Sequence, residues 1–149
     1  YYVYMENVNK EDETTHVQEE AQEDNEPEPN ESDSPSLDIA RRDAQRKSDT
    51  GLLIARAEMY AANNNGLYPS ENSISSEVIS VYLTDGYIDP LSNEDYIIIS
   101  NTDPVLGQIQ YEIGKSCSVD NSLIEARSER SIVTRTLLEN GEFYCADNN

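Results

Sequence analysis

Two cysteines, one histidine and an excess of carboxylates limit the chemistry open to this chain. Cys117 and Cys145 have 27 residues between them and no Cys-x-x-Cys spacing. With a single histidine they cannot close a zinc site from cysteine and histidine alone, so a disulfide is the expected state. It implies an oxidising compartment. Closing a loop of that size contributes roughly 3–4 kcal/mol on the chain-entropy account. His16 lies in a strongly acidic stretch expected to stay unfolded, which leaves the folded part without a triad or a histidine proton relay. Acidic residues number 30 against 10 basic ones. At that abundance, neighbouring carboxylates carry no signal for glycoside hydrolysis. The chain is expected not to be an enzyme. Gly114-Lys115-Ser116 has the ending of a phosphate loop, but the motif needs a glycine five positions before Gly114, where Ile109 stands.

Two clusters remain as candidate sites. Arg41, Arg42, Arg46 and Lys47 fall within seven positions. They suit an interface that meets acidic groups of neighbouring subunits or of the acidic stretch. They equally suit a solvated helix face supported by Asp38–Arg42 and Asp43–Lys47 pairs four residues apart. Asp85, Asp89, Asn93, Glu94 and Asp95 crowd one loop, and hard oxygen donors fit calcium. No EF-hand spacing is present, and a plain polar loop accounts for the same residues. Calcium is the one cofactor considered. A formal net charge of −20 repels phosphate backbones, which argues against a nucleic-acid partner.

The elements that must position these residues begin after an acidic segment. From Glu11 to Asp33 there are eleven acidic residues, and Val17 is the one apolar side chain larger than alanine. Ordering costs roughly 1–2 kcal/mol per residue, and this stretch has almost no apolar area to offset it. It is expected to be an extended linker, with residues 1–10 before it and one folded domain over 34–149. The Tyr-rich start, Tyr1 to Met5, suits the interfacial end of a membrane helix lying upstream. Ser34-Pro35 predicts a helix start, and Asn63-Asn64-Asn65-Gly66 predicts its end. Between them Leu37, Ala40, Ala44, Ser48, Leu52, Ala55, Met59 and Ala62 recur at helical spacing, a narrow stripe expected to lie against a sheet. A short helix is expected over 76–83. Strands are expected at Tyr96–Ile99, Ile109–Ile113, Ile132–Leu138 and Phe143–Cys145, the last two joined by a type I′ turn at Glu139-Asn140-Gly141-Glu142. Tyr60, Tyr82 and Tyr111 are expected in the core, although tyrosines on a sheet edge would equally suit adhesion. The fold class is α+β: a long N-terminal helix on a small antiparallel sheet of three to four strands, with a disulfide near the C-terminus.

Four segments resemble bacterial type IV pilins and pseudopilins. Ala40-Arg41-Arg42-Asp43-Ala44-Gln45-Arg46-Lys47-Ser48-Asp49 is similar to the segment these proteins carry after their membrane helix. Asn65-Gly66-Leu67-Tyr68-Pro69 resembles their turn at the end of the long helix. Gly86-Tyr87-Ile88-Asp89-Pro90 resembles the Asp-Pro loop before the sheet, and Leu137 to Cys145 the final hairpin. The resemblance implies a structural subunit, major or minor, that packs through an upstream hydrophobic helix into a cell-surface filament with other pilin subunits. Attachment, motility, DNA uptake and secretion are the processes such filaments serve, and some pseudopilins bind calcium. In that family the membrane helix runs straight into the Ala-Arg-Arg-Asp segment, but here the acidic stretch of about 23 residues stands between. A membrane-tethered adhesion module reusing the same fold is the alternative.

Overall fold

The computed structural model describes residues 35–149. Residues 1–10, the acidic segment, His16 and the Ser34 cap lie outside the described residues. Helix α1 runs over Pro35–Asn63. It opens with proline, which is preset for the first turn, and carries Asp38 at the positive end of the helix dipole. It ends because Asn65 and Gly66 both take positive φ, 57° and 78°, which lets the Gly66 N–H reach back to the Ala61 carbonyl at 2.8 Å. The Asn63 and Asn64 side-chain amides donate to the Met59 and Tyr60 carbonyls, occupying two more acceptors of the last turn.

A short helix follows, a π-helical turn over Ser75–Ile79 closed by α2, Ser80–Tyr82. The strands are β1 (Ile97–Ile99), β2 (Gln108–Ile113), β3 (Lys115–Cys117), β4 (Leu123–Glu125), β5 (Ile132–Leu137) and β6 (Phe143–Asp147). The main sheet has the order β1-β2-β5-β6, and β3 with β4 forms a separate two-stranded ribbon. The ribbon was not legible in the sequence, because its three-residue strands show neither alternation nor the β-branched run that marks β1.

The α+β class holds, but the sheet is mixed and not purely antiparallel: β1 pairs parallel to β2, with Ile97 opposite Gln108. A parallel return normally needs a long crossover. Here β1 is three residues, on the order of 10 Å, and the segment 100–107 suffices to bring the chain back. The β5–β6 turn also differs from expectation. Asn140 is not among the positive-φ residues, but Gly141 is, at 84°. The Gly141 N–H bonds the Leu138 carbonyl, and the Leu138 N–H bonds the Glu142 carbonyl. That is a type I turn with a glycine bulge, which a three-residue loop favours over type I′.

The largest correction concerns α1. The expected stripe points outward: Leu37 is 66% exposed and Met59 43%, and Ala40, Ala44, Ser48, Ala55 and Ala62 are exposed. The buried face is Asp43, Arg46, Asp49, Thr50, Leu53, Ile54, Ala57 and Ala61. Its C-terminal half is apolar and joins Ile74, Val78, Tyr87, Tyr96, Ile109, Tyr111 and Ile132 in the core. Its N-terminal half is charged, and an apolar count cannot see it. Tyr111 is fully buried and donates to the Pro69 carbonyl, and Tyr60 and Tyr82 pack against the core's edge. The β5 threonines add a polar seam, with the Thr134 hydroxyl donating to the Thr50 carbonyl of α1.

Candidate functional site

The buried half of α1 holds a cluster of charges. Arg46 is completely enclosed. Its Nε and Nη2 donate to the two oxygens of Asp89 at 2.7 and 3.2 Å. Its Nη1 donates to Asp43 Oδ1 at 3.0 Å and Glu139 Oε1 at 2.7 Å. One turn earlier, Arg42 clasps both oxygens of Glu139, each at 2.7 Å. Asp43 Oδ1 also accepts the Glu139 backbone N–H at 2.9 Å. Residues from α1, from the loop after Tyr87 and from the β5–β6 turn therefore meet at one guanidinium. Its planar fork makes four hydrogen bonds to three carboxylates, two of them to Asp89, one more than the three donors of a lysine ammonium allow.

The electrostatics follow from that geometry. Burial alone would push Asp89 up, but hydrogen bonds from Arg46 and from the Ser92 and Leu91 amides outweigh it and hold the carboxyl below its ordinary range. Arg42 first, and Arg46 after it, draw Glu139 down to about 2. Burial works against the Arg46 charge, and the bonds to Asp89, Glu139 and Asp43 more than restore it. Beside this cluster Asp49 goes the other way: burial raises its pKa, only partly offset by bonds from Gln45 and Tyr96. The Tyr96 hydroxyl donates to Asp49 Oδ2 at 3.0 Å, and the Tyr87 hydroxyl to the Asp49 carbonyl at 2.7 Å. The two rings pack at 5.0 Å.

This arrangement divides the basic candidates. Arg46 cannot face a neighbouring subunit, and Arg42 is committed to Glu139; the interface expectation fails for Arg46 because the turn's and the loop's carboxylates draw it inward. Arg41 and Lys47 stay exposed, Arg41 against Asp38 at 3.2 Å and Lys47 with its Nζ 5.7 Å from the centre of the Tyr144 ring. The pairs expected four residues apart are replaced by Asp38–Arg41 and Asp43–Arg46, three apart.

The calcium candidates are not gathered. Asp89 is turned inward, its Oδ1 also accepting the Leu91 and Ser92 amides in a tight loop. Asp85, Asn93, Glu94 and Asp95 are exposed. Among the described residues no group of three His, Cys, Asp or Glu side chains is placed to hold a metal ion. The one buried carboxylate of the loop is engaged by Arg46. Cys117 and Cys145 are joined in a disulfide, Cα–Cα 5.8 Å, which staples the ribbon to β6. Lys115, of the rejected phosphate loop, lies in β3 and pairs with Glu125 on β4.

Glu139, Asp49, Tyr87 and Tyr96 were not singled out by residue type. Glu139 had a readable signal in its place at the tip of a glycine turn, but nothing in the sequence showed that the tip bends back onto α1. The exposed face of α1 is the remaining candidate surface. It runs from Leu37 through Ala40 and Ala44 to Met59, and a shallow groove of about 340 Å³ lies between it and Leu138 and Asn140 of the turn. Comparison with family models, with curated proteins and with solved structures returned no match. Among the described residues no helix is long and apolar enough to cross a membrane.

Proposed function

We propose that residues 34–149 are the head domain of a type IV pilin-like subunit, a structural protein of a cell-surface filament and not an enzyme. What carries this reading is that three of the four segments resembling pilins converge on Arg46. Ala40–Asp49 supplies Arg42, Asp43 and Arg46, the Asp-Pro loop supplies Asp89, and the final hairpin supplies Glu139. The fourth segment is anchored too, with Tyr68 accepting a hydrogen bond from Asn148 and Pro69 accepting one from Tyr111. Segments that are individually weak signals thus act as one structural unit, as they would if all came from a single ancestral fold. The disulfide suits an extracytoplasmic location.

The subunit's contacts with its neighbours run through an upstream membrane helix and the outward face of α1, where small side chains permit close approach of another helix. The test is to shear filaments from cells that produce the chain and probe them for it. Stoichiometric recovery supports the subunit. Retention in the membrane fraction overturns it, in favour of a tethered binding module on the same fold.

A further inference from the structure

The face of the sheet turned away from α1 is neither a wet face nor an apolar core. On β2, Ile109 and Tyr111 point into the core, and Gln110 and Glu112 alternate with them to the other side. An ordinary outer face would leave these polar side chains in water. Instead Gln110 is 3% exposed, Glu112 4% and Arg135, opposite Gln110 on β5, 6%. The segment 100–107 walls one side and the ribbon the other, leaving a groove of about 590 Å³, within the range of small-molecule sites (~300–1,000 Å³).

Its floor is a linked ladder. Gln110 Oε1 accepts from Arg135 Nε at 3.0 Å, and Gln110 Nε2 donates to Glu112 Oε1 at 2.8 Å. Glu112 Oε1 also accepts the Asn101 backbone N–H. The Arg135 guanidinium lies over the Phe143 ring at 4.5 Å, and its Nη2 bonds Asp103. Each side chain is thus fixed by its neighbours, and binding need not order it. Capacity is left over. Arg135 Nη1 and the Thr102 hydroxyl have no partner among the described residues, and the Asp103 side chain is 73% exposed.

We propose that this groove binds a neutral saccharide. The groove offers a guanidinium edge at Arg135, a carboxylate at Asp103 and a hydroxyl at Thr102, donors and acceptors that suit adjacent sugar hydroxyls. An anion is opposed by Asp103, Glu112 and a net charge of −20. A cation is opposed by Arg135 and Lys115. An apolar ligand would take water from the exposed Asp103 carboxylate and Thr102 hydroxyl without replacing its hydrogen bonds. A peptide added as a strand would need a sheet edge, and this groove lies on a face. The inference does not depend on the filament reading, because it concerns the opposite side of the sheet from α1.

The test is the full chain, disulfide intact, on an array of neutral oligosaccharides, followed by titration with those retained. Binding is expected to weaken roughly tenfold or more in Asp103→Ala and in Thr102→Ala. Thr102 is exposed and unpaired, so its variant should hold the melting temperature, and Asp103→Asn, which keeps a hydrogen bond to Arg135, controls for the loss of that partner. Ala44→Glu, on the far side of the domain, should leave binding unchanged. No neutral saccharide retained, equal binding by both groove variants, or selective capture of an unglycosylated peptide in its place would each overturn the proposal.

Discussion

Arg46 answers to three carboxylates, Asp43, Asp89 and Glu139, while Glu139 also holds Arg42. A buried set of this kind is weak evidence of net stability, but removing its centre is costly, because the remaining carboxylates are left facing one another away from water. Arg46→Met should therefore lower the free energy of unfolding by about 3–5 kcal/mol, measured by urea denaturation. A loss under 1 kcal/mol would mean that the carboxylates simply turn outward. The pH dependence has two opposing parts. Glu139, drawn to about 2, and Asp89, also depressed, contribute stability above their ordinary values. That contribution is lost as pH falls from about 5 toward 2. Asp49, raised by burial, contributes most below its ordinary value and loses that contribution as pH rises through its folded value. Glu139→Gln should flatten the acid limb of a denaturation-midpoint profile. Asp49→Asn should match the native chain near pH 3 and exceed it at pH 7; an Asp49→Asn variant less stable at both would show that the carboxylate is needed as such.

At the scale of elements, α1 is two-faced in an unusual sense, with its charged residues partly inside and much of its small apolar stripe outside. If the outward stripe is a subunit contact, Ala44→Glu should abolish recovery in sheared filaments while leaving the melting temperature within a degree or two of the native chain. Normal incorporation would move the contact elsewhere. The ribbon is joined to the sheet by Cys117–Cys145 and by the Cys117 N–H to Asp147 at 2.6 Å. Reduction should cost roughly 3–4 kcal/mol. It should also speed amide exchange in β3 and β4 before β2 and β5, whose ladder and core contacts do not depend on the staple. Uniform loss of protection would instead make the disulfide a condition for the whole sheet.

For the whole molecule, a net charge of −20 on 149 residues sets a self-repulsion that added salt screens. The denaturation midpoint should rise between 0.01 and 0.5 M sodium chloride (Debye length falling from roughly 30 Å to a few Å). The Arg46 cluster, being enclosed, should not weaken in step. A falling midpoint would mean that surface pairs such as Lys115–Glu125 outweigh the general repulsion. A filament of such subunits would feel the same repulsion between neighbours, so its assembly should also favour salt.

The sequence by itself determined the helix and its end, because proline, asparagine and glycine act on their own backbone. It determined four of the six strands, where β-branched runs and alternation are long enough to read, and the pairing of the only two cysteines. Tertiary structure alone decided which face of α1 is buried. Local periodicity registers apolar residues, and the inner face begins with Asp43, Arg46 and Asp49, whose burial depends on partners more than forty residues away in sequence. It decided that β1 runs parallel to β2, since direction depends on where the return loop goes and not on the residues of the strand. It decided, too, that Asp89 pairs with Arg46, because a carboxylate's partner is set by the charge nearest to it in space.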